Sequence, residues 1–285
     1  MRLAAAAFLS LAFLAPPLTA EAAGTLDKIK AAQTILIGYP EAAAPFSAVG
    51  ANHHPEGFSI DLCRKIATGL KEALKLDRMD IKFLPVTAEN RATKLAGGEI
   101  DLECGDTASS LSRRDKVDFS LTTFLGGTEF LVNIGSKVFA ATDLQGKKIA
   151  VAAGSAAEAV VRNLLKTRPV NAEIVPLADP REGLAALDSG HADALAGDAA
   201  ALIGLARAAK DPAKYRLSGN LYSYEPYALA LRRDDADFRL AVDRELARIF
   251  RSADIGDIYK RWFGQWSAAP GPFLSALYQM QSAPE

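Results

Sequence analysis

The stretch DLECGDTASSLSRRDKVDFS, residues 101–120, combines a short apolar strand with a polar loop. The strand stops at Gly105, and small hydroxyl residues follow it up to the pair Arg113-Arg114. Open α/β sheets bind ligands beyond the carboxyl ends of their strands, so this pattern predicts one wall of a ligand site. Arg113 can bind a carboxylate through two parallel hydrogen bonds.

A similar pattern recurs further along the chain. Residues 94–106, KLAGGEIDLECGD, resemble residues 186–198, ALDSGHADALAGD. Leu, Gly, Asp, Gly and Asp recur in step, and a strand that contains a proline precedes each copy. Such an echo favours two lobes built on one strand–helix–strand plan over a chance match. Asp106 and Asp198 then occupy equivalent positions.

Length and composition restrict the class of protein. The chain has 285 residues, of which 49% are hydrophobic and 24% charged, and its net charge is -1. This length suits two compact units, and the mixed charges argue against nucleic acid or an anionic membrane as a partner. Strands alternate with helices throughout, which predicts an α/β protein with mostly parallel strands.

Residues 1–22 differ from the rest of the chain. Arg2 precedes an apolar run over residues 3–14, and Ala20-Glu21-Ala22 follows. This order is typical of a secretory signal peptide cleaved near Ala22. A membrane anchor is the alternative, but the apolar run is shorter than the ~20 residues that span a bilayer. We therefore expect an exported, soluble protein.

The reactive side chains predict binding rather than catalysis. Cys63 and Cys104 form an even pair, which in an oxidising compartment favours a disulfide; two buried free thiols are the alternative. The sequence has no phosphate-binding glycine motif and no nucleophile elbow. His53-His54 lacks a third ligand at metal spacing. We expect no catalytic residue, no metal and no cofactor.

Two further segments lead to predictions. Ser155-Ala-Ala-Glu158 is a capping box where a predicted strand turns into a helix. Free N–H groups at such a helix start can bind an anion, and a capped helix without a ligand is the alternative. From Ser267 the hydrophobic periodicity stops, so we expect a loose tail over 267–285.

Several motifs together resemble a known family. They are GFSIDL at 57–62, SLSR at 110–113 followed by VDFS at 117–120, and IYKRWFG at 258–264. In this order they resemble the periplasmic polar-amino-acid-binding proteins of ABC importers (solute-binding protein family 3). The segments TLDKI at 25–29, Asn90-Arg91 and ECG at 103–105 are similar to its glutamate/aspartate-binding branch. The resemblance covers nearly all of residues 24–266.

The resemblance implies an α/β, two-lobed periplasmic binding protein fold (type II), with two hinge strands and a ligand cleft between the lobes. The hinge crossings fall near 123–127 and 223–227, and ligand binding shifts an open–closed equilibrium. The implied domain plan is a signal peptide at 1–22, a discontinuous lobe 1 at 24–122 and 228–266, lobe 2 at 128–222, and a C-terminal tail at 267–285.

The implied function is capture of an amino acid or similar small zwitterion and its delivery to an ABC permease in the inner membrane. The resemblance implies a periplasmic monomer that binds no nucleic acid. Two alternatives stay open. One is a dehydratase-like cleft enzyme in which Asp106 acts as acid or base. The other is an accessory periplasmic protein with a drifted pocket.

Site roles carry over residue by residue. Arg113 matches the arginine that binds the ligand α-carboxylate, and Asp198 matches the aspartate that takes the α-amino group. Arg91 matches an arginine that reaches a side-chain carboxylate in the acidic-amino-acid branch. Ser155 matches a position that holds the carboxylate from the second lobe. Backbone groups at Ala108 and Asp106 can also bond the ligand.

Other positions depart from the glutamate/aspartate branch. Pro40 stands in place of a second side-chain arginine, Asp106 in place of a serine, and Pro180 in place of a histidine. Small hydroxyl residues of the pocket are replaced by Ala88, Ala108 and Ala152. One arginine fewer and one carboxylate more predict an altered specificity, with a smoother wall and an extra negative charge.

Overall fold

The computed structural model describes residues 24–179, 181–266 and 270–283. The predicted signal peptide at 1–22 therefore lies outside the described residues. The chain first builds most of lobe 1, and its elements up to the first hinge crossing are α1 Thr25–Ala32, β1 Thr34–Pro40, β2 Ala42–Ala43, β3 Ser47–Val49, β4 Pro55–Glu56, α2 Phe58–Ala73, β5 Asp80–Val86, α3 Arg91–Ala96, β6 Leu102–Glu103, α4 Leu111–Arg114 and β7 Asp118–Gly126.

Lobe 2 follows, and the chain then returns to lobe 1. The elements of lobe 2 are β8 Thr128–Asn133, β9 Lys148–Ala152, α5 Ala156–Thr167, β10 Glu173–Leu177, α6 Glu182–Asp188, β11 Ala194–Asp198, α7 Ala199–Arg207 and β12 Tyr215–Leu217, with 3-10 turns at Ala141–Leu144 and Pro212–Lys214. The returning elements are β13 Glu225–Leu231, α8 Ala236–Arg251, α9 Asp254–Phe263 and α10 Pro272–Gln281.

Each lobe has a five-stranded mixed sheet. The strand order is β5-β1-β6-β13-β7 in lobe 1 and β10-β9-β11-β8-β12 in lobe 2. In both sheets the first three strands in this order pair in parallel, and the third, fourth and fifth strands pair antiparallel. Strands β2, β3 and β4 form a small separate sheet. The predicted α/β class and two-lobed fold are confirmed, but the prediction of mostly parallel strands is wrong, because the strands of the hinge and their neighbours pair antiparallel. The exact domain boundaries stay a prediction.

Two antiparallel strands form the hinge. β7 passes into β8 at Gly127, and β13 pairs with β7 so that Glu225 lies opposite Gly126. Gly127 has a φ of +150°, and a Cβ atom there would collide with the carbonyl oxygen of Ser223. Only glycine fits where the two crossings touch so closely.

The sequence echo has a structural counterpart. In lobe 1 the backbone N–H of Leu36 donates to Asp101 Oδ2 at 2.8 Å, and Lys28 Nζ lies 2.8 Å from Asp101 Oδ1. In lobe 2 the N–H of Lys148 donates to Asp193 Oδ2 at 2.9 Å, and Lys147 Nζ lies 3.0 Å from Asp193 Oδ1. Each aspartate thus links two parallel strands at the equivalent place in its lobe, β1 with β6 and β9 with β11.

The core of lobe 1 lies between its sheet and helices α2, α8 and α9. The predicted apolar face of α2 is buried, including Ile60, Ile66 and Leu70. Cys63 on the same face forms a disulfide with Cys104, the residue after β6, with a Cα–Cα distance of 6.5 Å. Of the two alternatives for the cysteine pair, the structure has the disulfide.

The prediction of a loose C-terminal tail is wrong for residues 272–281. They form α10, which packs against α8 and β7 of lobe 1. The ring of Tyr278 stacks on Phe250 at a centroid distance of 4.7 Å, and its hydroxyl donates to the Thr123 carbonyl at 2.9 Å. The helix buries only Leu274 and Tyr278, which is too few apolar residues for a clear periodic signal.

Candidate ligand cleft

A cavity of about 390 Å³ lies between the two lobes. Lobe 1 contributes the segment that follows β1, and lobe 2 contributes the start and one face of α7. The lining residues are Ala42, Ala43, Ala44, Phe46, Asp106, Asp198, Ala200, Ala201, Gly204, Leu205 and Ala208. The lobes touch at one side of the cavity, where a Cβ atom on Gly204 would lie 2.6 Å from the Ala44 carbonyl oxygen.

Asp198 connects α7 to both hinge strands. Its Oδ1 caps the helix by accepting from the N–H groups of Ala200 and Ala201 at 3.0 and 3.1 Å. Its Oδ2 accepts from the Gly127 N–H at 3.1 Å and from the Tyr227 hydroxyl at 2.7 Å. A carboxylate has about four acceptor positions, so these four donors fill them. Burial and the Asp198 charge raise the pKa of Tyr227.

Asp106 lies in the loop after β6, on the lobe 1 wall of the cavity. Its side chain is exposed, yet enough protein surrounds the carboxyl that desolvation raises its pKa. The nearby Asp198 charge acts in the same direction, while Arg91 and Arg113 oppose it. Within the described chain, no other residue donates a hydrogen bond to the Asp106 carboxylate. It remains open to a ligand.

Arg91 takes part in a buried series of hydrogen bonds beneath the loop that contains Asp106. Its Nη1 donates to Thr107 Oγ1 at 2.5 Å, and that hydroxyl donates to Glu103 Oε2 at 2.7 Å. The same Nη1 lies 3.5 Å from Glu103 Oε1, which is buried and accepts no hydrogen bond. Burial raises the pKa of Glu103 to about 7, although Arg91 and Thr107 act to lower it. Arg91 therefore already has a carboxylate partner.

Arg113 lies on the short helix α4, whose start is capped by Ser110. The Ser110 hydroxyl accepts from the Arg113 N–H at 3.3 Å, and Arg113 Nη1 donates to the Ala108 carbonyl at 2.8 Å. The guanidinium is exposed at the cleft, with donors left for a ligand. Glu225, on the second hinge strand, lies within electrostatic range of Arg113; burial and then Asp198 raise its pKa.

Ser155 lies at the start of α5 in lobe 2. Its hydroxyl accepts from the Glu158 N–H at 3.1 Å, as the capping box predicts. In a full capping box the Glu158 carboxylate would also accept from the Ser155 N–H. Here Glu158 Oε2 accepts from the N–H of the preceding residue, Gly154, at 2.6 Å. All hydrogen bonds that the described structure gives Ser155 stay within lobe 2.

The structure thus brings together five of the predicted site residues near the hinge, and among the described residues no hydrogen bond joins Ser155 to them. The five are Arg91, Arg113, Asp106, Ala108 and Asp198. Sequence reasoning missed Tyr227 and Glu225, although both fall in the predicted second crossing. It also missed Glu129, whose Oε1 accepts from the Gly219 N–H at 2.5 Å and whose pKa burial raises. A charged residue inside the apolar strand β8 was the available signal.

The residues that differ from the acidic-amino-acid branch lie at several places in the structure. Pro40 packs against Gly105, since a Cβ atom on that glycine would lie 2.7 Å from Pro40 Cγ. Ala88 is exposed and Ala152 is half-buried. Pro180 lies outside the described residues.

Two searches over the described residues gave negative results. No three or more His, Cys, Asp and Glu side chains in residues 24–179, 181–266 and 270–283 are grouped so that they would hold a metal ion. Within the same ranges, no helix combines the length and apolar character needed to cross a bilayer.

Two α/β lobes, a double-stranded hinge and a cavity beside it that contains two aspartates define a two-lobed ligand-binding protein. Residues 35–265 match the bacterial extracellular solute-binding proteins, family 3. The chain belongs to this family.

Individual relatives agree with that assignment. An L-glutamate/L-aspartate-binding protein of Pseudomonas aeruginosa is 32% identical over 252 residues, 88% of this chain and 83% of the relative. The glutamate/aspartate import solute-binding protein of Escherichia coli (strain K12) is 32% identical over 254 residues, 89% and 83% of the two chains. These relatives are binding proteins, which supports the expectation that the chain is not an enzyme.

Solved structures share the fold. An ancestral cationic amino acid solute-binding protein aligns with a TM-score of 0.69 and 26% identity, over 84% of this chain and 99% of the other. A polar amino acid ABC uptake transporter substrate-binding protein from Streptococcus thermophilus aligns with a TM-score of 0.70 and 18% identity, over 90% and 93% of the two chains.

Proposed function

We propose that the protein captures an amino acid or a similar small zwitterion between its lobes and delivers it to an ABC permease of the inner membrane. The observation that carries this proposal is the interlobe cavity beside the hinge, which is lined by Asp106 and Asp198 and has Arg113 within electrostatic range of Asp106. Two relatives at 32% identity are named for binding amino acids, which supports the same ligand class.

The side chains at the cleft match the two charges of a zwitterion. The exposed guanidinium of Arg113 takes the α-carboxylate in a bidentate pair, and the backbone at Ala108 orients it. The charge of Asp198 attracts the α-ammonium from lobe 2, and the backbone at Asp106 can bond the ligand from lobe 1. Ser155 adds a hydroxyl from lobe 2 when the cleft closes, and Arg91 lies behind the site on lobe 1.

Closure follows from the position of the hinge. The two lobes are joined by the paired crossings at Gly126–Gly127 and Ser223–Tyr227. A ligand that bonds Arg113 on lobe 1 and lobe 2 groups at the same time stabilises the closed state over the open one. Binding needs no covalent step and no cofactor.

Cellular location follows from the N-terminal sequence. Residues 1–22 direct export to the periplasm and are removed near Ala22. The mature chain then acts as a monomer, with lobe 1 at 24–122 and 228–266 and lobe 2 at 128–222. The Cys63–Cys104 disulfide suits an oxidising compartment of this kind.

A thermal-shift screen of residues 24–285 against the common amino acids tests the proposal. A ligand stabilises the folded state by mass action, so at least one amino acid should raise the melting temperature. Arg113→Ala should lose that shift, because removing one partner of a buried charge pair costs ~2–5 kcal/mol. Arg114→Ala is the matched control and should keep it, because Arg114 bonds Ser109.

Two results would count against the proposal. If no amino acid shifts the melting temperature, amino acid capture is contradicted. If Arg113→Ala and Arg114→Ala respond to a ligand as the unsubstituted protein does, the Arg113 assignment is contradicted.

A further inference from the structure

The walls of the cleft carry more acidic than basic groups. Asp106 and Glu225 each lie close enough to Asp198 for its charge to act on them. The basic groups that oppose them are Arg91 and Arg113. Like charges gathered in a partly desolvated site repel one another unless a cation joins them.

One of the two arginines is already paired. Arg91 lies 3.5 Å from the fully buried Glu103 and donates to Thr107, which donates to the same glutamate. The Arg91 side chain is 16% exposed, so it faces mainly protein. In the proposed function Arg113 takes the ligand α-carboxylate. Arg91 still acts on Asp106 through its charge, but neither arginine is then free to bond a cleft carboxylate directly.

A plain zwitterion does not restore the balance. Its ammonium neutralises one carboxylate, and its own carboxylate uses up Arg113. Asp198 satisfies its acceptor positions with four protein donors, whereas Asp106 receives none from any other described residue. Closing the lobes would strip water from a carboxylate with no partner, which is costly in a protein interior.

The cavity has the shape and lining for a second cationic group. Apart from Asp106 and Asp198, its lining residues are alanines, Phe46, Gly204 and Leu205, and none of them is basic. An aliphatic stem can lie along such apolar walls while a charged head reaches the carboxylates. A carboxylate head in the same place would meet two like charges.

We propose that the ligand is a basic amino acid, with an amine or guanidinium on its side chain, and that Asp106 selects for it. This inference rests on the proposed function and specifies its ligand. It sets the cleft apart from one built for an acidic side chain, although the relatives at 32% identity are named for glutamate and aspartate.

Isothermal titration of residues 24–285 tests the inference with a set of matched ligands. Lysine, ornithine and arginine are compared with norleucine and citrulline, which have similar lengths but no side-chain charge, and with glutamate. We expect each basic ligand to bind at least 10-fold more tightly than the neutral ligands, and glutamate to bind most weakly. The preference should shrink as ionic strength rises.

Asp106→Asn tests the assigned residue. We expect it to weaken binding of the basic ligands at least 10-fold and to change binding of norleucine much less. Asp115→Asn removes the same charge from an exposed position near α4 and should leave the preference unchanged. Melting of the ligand-free variants shows that both are folded.

The outcomes separate the inference from the proposed function. Tightest binding of a neutral or acidic amino acid overturns the inference and leaves amino acid capture standing. Retention of the full basic preference by Asp106→Asn overturns the role of Asp106. If no amino acid binds, both proposals are wrong.

Discussion

Glu103 offers a test of the electrostatics beneath the cleft, through the substitution Glu103→Gln. The side chain is fully buried, and burial raises its pKa from 4.5 to about 7. Each pKa unit corresponds to about 1.4 kcal/mol, so ionising this group costs the folded protein roughly 3 kcal/mol. Glutamine keeps an oxygen for the Thr107 hydroxyl but carries no charge.

The sign of the effect follows from proton linkage. Below pH 4.5 both the folded and the unfolded chain keep the proton on Glu103, and well above pH 7 neither does. Between these limits the folded state holds more protons, so this group makes the free energy of unfolding fall as the pH rises. In Glu103→Gln that contribution is absent.

Urea unfolding at pH 5, 6, 7 and 8, without ligand, measures the effect. We expect the free energy of unfolding of the variant, relative to the unsubstituted protein, to rise by roughly 2–3 kcal/mol from pH 5 to pH 8. Loss of packing or of a hydrogen bond adds an offset that does not change with pH. Exposed Glu99→Gln is the matched control and should follow the unsubstituted protein. A constant difference between variant and unsubstituted protein across this range would refute the reasoning.

Three further predictions concern stability, each measured by denaturant unfolding. Tyr227→Phe removes a donor to Asp198 and should cost ~1–3 kcal/mol; an unchanged value would show that the hydroxyl is not needed at the hinge. Replacing Cys63 and Cys104 by alanine opens a loop with a sequence separation of 41, and should cost ~4 kcal/mol in the chain-entropy description; equal stability would contradict it. Tyr278→Ala should cost ~3–5 kcal/mol if α10 is part of lobe 1, whereas exposed Gln279→Ala should stay within ~0.5 kcal/mol.

Local patterns predict the α/β class and a repeat that favours two lobes, whereas the hinge crossings followed from the resemblance to a known family. Asp101 and Asp193 are conspicuous because each lies between a glycine turn and a strand, and each bonds the neighbouring strand in the same way. The apolar face of α2 followed from helical spacing alone. These features depend on residues close in sequence, where periodicity and turn chemistry are reliable signals.

The hydrogen bonds and ion pairs of the site that join residues far apart in the sequence could not be predicted. Asp198 was identified, but its bonds to Gly127 and Tyr227 join segments far apart in the chain. Arg91 is predicted to reach a ligand carboxylate, and the sequence gives no sign that it also lies against Glu103, the last residue of the short strand β6. Tertiary packing decides such pairings, and no local rule predicts them.

The C-terminal helix illustrates the same limit. α10 is anchored by the ring of Tyr278 on Phe250 and by Gln281, whose side chain bonds both the N–H and the carbonyl of Thr122 at 2.8 Å. One ring and one amide do not produce a periodic pattern. The segment therefore looked irregular in the sequence although it packs on lobe 1 in the structure.

Closure of the lobes around an amino acid is the central claim, and a spin-label distance tests it most directly. Glu89→Cys after β5 and Arg181→Cys after β10 place exposed labels beyond the carboxyl ends of equivalent strands. Cys63 and Cys104 are bonded to each other, so the new thiols can be labelled selectively. We predict that a saturating amino acid ligand shifts the distance distribution to shorter values, and that Arg113→Ala abolishes the shift. An unchanged distribution with a ligand that binds would contradict capture by lobe closure.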